Sequence, residues 1–320
     1  MRKLIFKILI LIIPVIILFV ISVFVFANGY IDVYYLKFTT PQKPSLVIGM
    51  SKAVIDIQPS IINNSGLVFD KPMYNFGFNF GNSPYGKIYL DAIKKKVKPE
   101  THNGIFILEV SPLSISIQNS VKENYFENAP ENGRFLNHQF FFNTNPNFEY
   151  LLRHYENSYY FMFLNNIKKE VLIHDDGWLE GFTKLSDSEI EKRKTKWLKK
   201  YIDFYFKPSK FCQWRLDYLE ETISFLKQHG KVYLVRVPID KRMLELENNY
   251  MPDFNDKMAV LSKKENAKYI DFTVNCDNYK TYDANHLMKE SSEKLTRKLA
   301  EIIKEDRTRS KKDQNSEIRN

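Results

Sequence analysis

At 320 residues, with 44% hydrophobic and 27% charged residues, the chain can bury a full core in one large or two small domains. That composition excludes collagen-like and disordered classes, and two cysteines, Cys212 and Cys276, exclude a disulfide framework while leaving a single bridge open. The formal net charge of +9 comes partly from residues 184–210, where nine basic residues stand against four acidic ones.

Residues 8–27 are aliphatic or aromatic apart from Pro14 and Ser22, long enough to cross a hydrocarbon core of about 30 Å as a helix. A removable signal peptide has a shorter apolar stretch and a small-residue cleavage site, which Phe24-Val25-Phe26-Ala27-Asn28 does not offer, so an uncleaved anchor is expected. Arg2, Lys3 and Lys7 precede the run and only Lys37 follows it closely. This bias predicts a single-pass protein of the plasma membrane with its N-terminus in the cytoplasm and its main domain outside. The lipid bilayer is therefore the first expected partner, through residues 8–27. The expected organisation is an anchor over 1–28, a stalk over 29–44, an α/β domain over 45–304 and a charged disordered tail over 305–320. Pro41 and Pro44 favour an extended stalk.

Leu46-Val47-Ile48 reads as a buried strand broken by Gly49, with Ser51 just beyond its carboxyl end. In an open parallel sheet the ligand crevice lies outside the carboxyl ends of the strands. A second extended stretch is predicted within 67–80, where Gly77, Gly81 and Asn82 open a loop, then a helix over 83–96 and a buried strand over 105–110. Strand, helix, strand in this order implies a parallel sheet.

Residues 114–208 lose this alternation and read as a mostly helical insertion, clearest over 188–206. The basic residues of that helix read as a solvated face, with attraction to anionic lipid headgroups or an acidic polysaccharide as the functional alternative. His174-Asp175-Asp176-Gly177 reads as a polar turn, and neither a metal nor a cofactor is expected. Nucleic acid is not an expected partner, since no recognition motif occurs. A helix over 211–229 stopped by Gly230, a strand over 231–237, a helix over 255–265, a strand over 268–272 and a terminal helix over 288–304 complete the domain. Arg236 sits within an apolar strand. It must either pair with a carboxylate or face the crevice and hold an anionic substrate.

Gly49-Met50-Ser51 after the first strand, Asn75…Gly77…Gly81 after the second, and Asp283-Ala284-Asn285-His286 before the last helix resemble the SGNH, or GDSL-like, hydrolase superfamily. The likeness covers residues 45–113 and 231–304. It implies a flavodoxin-like three-layer sandwich with a central parallel sheet and a serine hydrolase site. Serine needs a base to take its proton, so His286 would act as base and then acid, while Asp283 would hold the imidazole tautomer. That chemistry predicts Ser51 Oγ within hydrogen-bond reach of His286 Nε2. By the same resemblance the oxyanion donors would be the amides of Ser51 and Gly81, with Asn82 or Asn79 in place of the family's asparagine after the third strand. The sequence departs from the family at Met50, where an aspartate is usual, and at Glu109-Val110-Ser111-Pro112, which lacks Gly-x-Asn.

The expected function is a serine-dependent acyl ester hydrolase or O-acyltransferase acting on an envelope glycan or lipid-linked substrate through an acyl-enzyme. The alternative is a non-catalytic assembly or binding component of the cell envelope, working with envelope-biosynthesis proteins.

Overall fold

The computed structural model describes residues 2–32, 34–78, 83–120, 144–155, 158–181 and 185–317, excepting the side chains of residue 154 and residues 310–317. A 25-residue helix, α1 (Arg2–Phe26), opens the chain and is long and apolar enough to cross a membrane. It is exposed along nearly its whole length, and only Val23 is buried. The extended stalk expected over 29–44 is not present. Those residues instead fold onto the body around a short helix, α2 (Tyr35–Thr39), all of whose residues are buried. The reason lies in Ile31, Tyr35, Leu36 and Phe38, whose apolar surface joins the core while Pro41 and Pro44 merely bound a short connection.

The chain then runs through β1 (Ser45–Ile48), α3 (Ser51–Asp56), α4 (Pro59–Asn63), β2 (Met73–Asn75), α5 (Lys87–Lys96) and β3 (Gly104–Glu109). The helix expected from residue 83 starts later, because Gly86 is still extended. After β3 come β4 (Ser116–Gln118), α6 (Tyr159–Lys168), β5 (Val171–Ile173), β6 (Leu179–Gly181), α7 (Asp187–Tyr201) and β7 (Ser209–Phe211). The stretch read as mostly helical therefore also holds the antiparallel pair β5 with β6, and β4, which pairs antiparallel with β7 just beyond it. His174-Asp175-Asp176-Gly177 is the turn of the second pair, and Gly177 closes it at φ +82°, a value that favours glycine. Residues 121–143 of that stretch lie outside the described residues.

The body is completed by α8 (Gln213–Lys227), β8 (Gly230–Arg236), α9 (Lys241–Tyr250), α10 (Phe254–Glu265), β9 (Lys268–Asp271) and α11 (Lys289–Glu317). The tail expected to be disordered from residue 305 instead continues α11 as far as Glu317. Asp306 accounts for part of this, since it meets Lys231 at 2.9 Å and the Tyr233 hydroxyl at 3.0 Å and so ties the helix to β8.

Five strands form one parallel sheet in the order β2-β1-β3-β8-β9. Strand alternation sends Leu46, Ile48, Phe106, Leu108, Val232 and Leu234 into one core with α5, α8 and α10. Val47, Ile105, Ile107, Tyr233 and Val235 face the other core, with α3, α4 and α11. Helices thus cover both faces, which is the arrangement parallel sheets require. It leaves the carboxyl ends of the strands as the open edge, and β1 and the loop before α11 meet there.

Candidate active site

Gly49 ends β1 with φ +153°, and a Cβ at that position would lie 2.6 Å from Glu109 Cβ and 2.7 Å from Ala53 Cβ. Only glycine lets the chain turn this tightly from strand into α3, and Ser51 is the first residue of that helix. Asn75 fixes the turn from the side, its Nδ2 donating to Ala53 O at 2.6 Å and Ile57 O at 3.0 Å.

The partner loop, residues 280–288, is closed on itself by Tyr282 N donating to His286 O at 3.0 Å and Met288 N donating to Lys280 O at 2.8 Å. Within it Asp283 Oδ1 accepts the amides of Asn285 at 3.1 Å and His286 at 2.8 Å, while Ala284 holds a left-handed φ of +71°. Backbone strain of this kind persists where surrounding structure imposes it. Here Asp240 N, donating to Ala284 O at 3.0 Å, supplies part of that constraint.

These two segments meet. His286 Nε2 lies 2.8 Å from Ser51 Oγ, and His286 Nδ1 lies 2.8 Å from Asp283 Oδ2. With Nδ1 protonated toward the carboxylate, Nε2 is left to accept the serine hydroxyl. Asn285 Nδ2 also approaches Nε2, at 3.2 Å. Burial works against the imidazolium, but the Asp283 carboxylate outweighs it and raises the His286 pKa above its usual 6.5. Burial likewise opposes charge on Asp283, and His286 overcomes it, holding the carboxyl below its ordinary value.

Several participants carried no signal in the linear order. Asp56, at the end of α3, accepts Leu287 N at 2.9 Å and so pins the histidine loop to the serine helix. Burial pushes its carboxyl up to about 8. Lys52, beside the serine, is buried between Glu247 at 3.1 Å and Glu109 at 3.7 Å, and Glu109 Oε2 also accepts Met50 N at 3.2 Å. Arg236 is 1% exposed and meets Glu247 at 2.9 Å, so of the two roles weighed for it the structure shows pairing with a carboxylate. An arginine inside an apolar strand and a glutamate at the end of another were the visible traces of this buried network.

A cleft of about 590 Å³ is lined by Tyr282 and Leu287, the chain neighbours of Asp283 and His286, with Ile55, Trp178, Leu179 and Arg193 also in its wall. The Tyr282 ring stacks on His286 with centroids 5.9 Å apart, and the Arg193 guanidinium lies 5.1 Å from the centre of the Tyr282 ring. Arg193 Nε is buried and has no hydrogen-bond partner among the described residues. The basic face of α7 is thus not simply solvated, since Lys194 also meets Asp240 at 3.1 Å.

Gly81, Asn82 and Asn79, expected as oxyanion donors, lie outside the described residues. Cys212 and Cys276 are separate buried thiols and form no bridge. His174 meets Glu180 at 2.8 Å, and His229 Nδ1 lies 3.3 Å from Thr101 O. Among the described residues no group of three or more His, Cys, Asp or Glu side chains is placed to hold a metal ion. No family model and no curated protein matches this chain.

Proposed function

We propose that this chain is a membrane-anchored serine hydrolase or acyltransferase of SGNH type, acting on an acyl ester through a Ser51 acyl-enzyme. One observation carries it: the unbroken hydrogen-bonded series Ser51–His286–Asp283 at the carboxyl end of the first sheet strand. The sheet order supports the flavodoxin-like sandwich, because its strands in chain order read 2-1-3-4-5 across the sheet. Residues 114–208 are then an insertion that walls the cleft.

His286 takes the proton of Ser51 Oγ as the hydroxyl attacks the ester carbonyl, and returns it to the leaving alcohol. Asp283 holds the tautomer and stabilises the transient imidazolium. The Ser51 amide, at the start of α3, is the donor on this turn for the oxyanion, with Gly81 and Asn82 assigned by resemblance. Water or a sugar hydroxyl then takes the acyl group, giving hydrolysis or transfer. The part of the cleft formed by Ile55, Trp178, Leu179 and Leu287 suits an acyl chain, and among the charged residues of its wall, Arg193 suits a negative group carried by that substrate. An acylated glycan or lipid-linked glycan of the envelope meets both requirements for a domain tethered through residues 8–27, with the N-terminus inside and the domain outside.

The test is labelling with a fluorophosphonate probe. Wild type is expected to label, and Ser51→Ala to lose the label while keeping its melting transition. A second reading, a non-catalytic binding component of the envelope, is favoured by Glu109, which occupies the end of β3 where the family carries its asparagine and is tied there to Met50 and Lys52. Folded wild-type protein that takes no label would decide for it.

A further inference from the structure

The described part of residues 144–168 wraps the last two turns of α1. Phe19 meets Tyr159 with ring centroids 5.3 Å apart, Phe24 meets Phe148 at 6.3 Å, and Phe26 meets Phe163 at 4.7 Å. At the other end Asn166 receives the Asn28 side-chain amide at 2.7 Å and donates to Phe26 O at 3.1 Å. Tyr159 therefore sits level with Phe19 and Asn166 level with Asn28, so α6 runs alongside α1. At 1.5 Å rise per residue, the seven residues from Phe19 to Phe26 place the start of α6 about 10 Å deeper than its end.

The face of α6 turned away from α1 carries Tyr160, Phe161, Leu164 and Ile167, with no charge before Lys168. Tyr160 is 67% exposed and Ile167 76%, and Leu152 nearby is 68% exposed. Exposed aromatic and aliphatic side chains continuous with the surface of α1, ending in Lys168 and Lys169, have the pattern of a helix that runs down beside a membrane span with its cations at the headgroup level. The interior of α6 satisfies its own backbone, and of the charged side chains beside it Arg153 meets Glu149 at 3.4 Å.

We infer that α6, with the exposed side chains of Phe148 and Leu152 beside it, is immersed in the bilayer leaflet next to the domain, as a second membrane contact beside α1. Val171, three residues past α6, is among the residues lining the cleft, so this seat holds the cleft close to the membrane surface. A substrate borne by the membrane would approach along this side.

The inference rests on α1 spanning the bilayer, and the experiment tests the two separately. Single cysteines at Leu11, Tyr160, Ile167 and Val260 are introduced into the full chain, spin-labelled and reconstituted in phosphatidylcholine vesicles. An unsubstituted chain gives the background from the two buried native thiols. Collisions with oxygen are expected to exceed collisions with a water-soluble nickel complex several-fold at Leu11→Cys and Tyr160→Cys, less so at Ile167→Cys, with the reverse at Val260→Cys on α10. Nickel access at Tyr160→Cys equal to that at Val260→Cys, with Leu11→Cys in lipid, overturns the immersion of α6. So does low access to both reagents at Tyr160→Cys, since protein then covers that face. A label at Leu11→Cys in water overturns the spanning of α1 instead.

Discussion

In the mechanism proposed for this site, Ser51 can be activated only while His286 is neutral. Its pKa lies above the ordinary 6.5 because Asp283, 2.8 Å from Nδ1, more than offsets the burial that disfavours the cation. Ester turnover, followed as kcat/KM against pH, is therefore expected to fall with acid along a limb centred above 6.5. Asp283→Asn removes the charge that raises it, so the limb should move to lower pH while kcat drops by about 10³–10⁴-fold. A limb that stays put in the variant would show that the carboxylate does not govern the histidine. Met50 stands where the resemblance leads one to expect aspartate, and the structure gives its place a purpose only through the backbone, whose amide donates to Glu109.

Beneath the turn from β1 into α3, four buried charges alternate in sign: Glu109, Lys52, Glu247 and Arg236. Burial alone would strip the proton from Lys52, but Glu247 and Glu109 hold it charged above its ordinary value. Burial likewise disfavours charge on Glu247, and Lys52 and Arg236 overcome that, keeping it ionised. The network joins α3, β3, α9 and β8 under Ser51. Removing one member strands the others, which in buried ion pairs costs about 3–5 kcal/mol. Glu247→Ala is thus expected to lower unfolding stability by that amount in urea titrations in detergent. Glu220→Ala, which breaks a largely exposed pair with Lys264, should cost under about 1 kcal/mol. Equal losses in the two variants would mean that the network contributes nothing beyond surface pairing.

Across the whole molecule, the segment after α1 is tied to the body through buried lysines rather than standing off as a flexible linker. Lys37 donates to Asn75 O at 2.9 Å and Gly177 O at 3.3 Å, and Lys96 donates to Lys37 O at 3.0 Å and Thr40 O at 2.7 Å. Burial, partly opposed by Asp176, lowers the Lys37 pKa from 10.5 to about 7. Between those values the unfolded chain holds a proton that the folded chain has released, so folded stability rises with pH from about 7 toward 10.5. Melting temperatures of Lys37→Met should lose part of that rise, the rest coming from Lys96, whose pKa burial also lowers well below its ordinary value, and a slope identical to wild type would contradict a neutral buried amine at Lys37. None of these lysines announces itself in the linear order, where 29–44 reads as a linker because its prolines are visible and its burial is not. By contrast, the apolar run of α1, the strands around Leu46 and Phe106, and the placing of Ser51, Asp283 and His286 at strand and helix ends were legible from residue order alone. Apolar periodicity, glycine breaks and chain position are local signals, fixed within a few residues. What only the tertiary structure decided is which distant groups meet: Lys52 with Glu247, Arg193 with Tyr282, and α6 with α1. Such partners depend on strand order and on how loops close, and residue order carries no measure of distance between groups far apart along the chain.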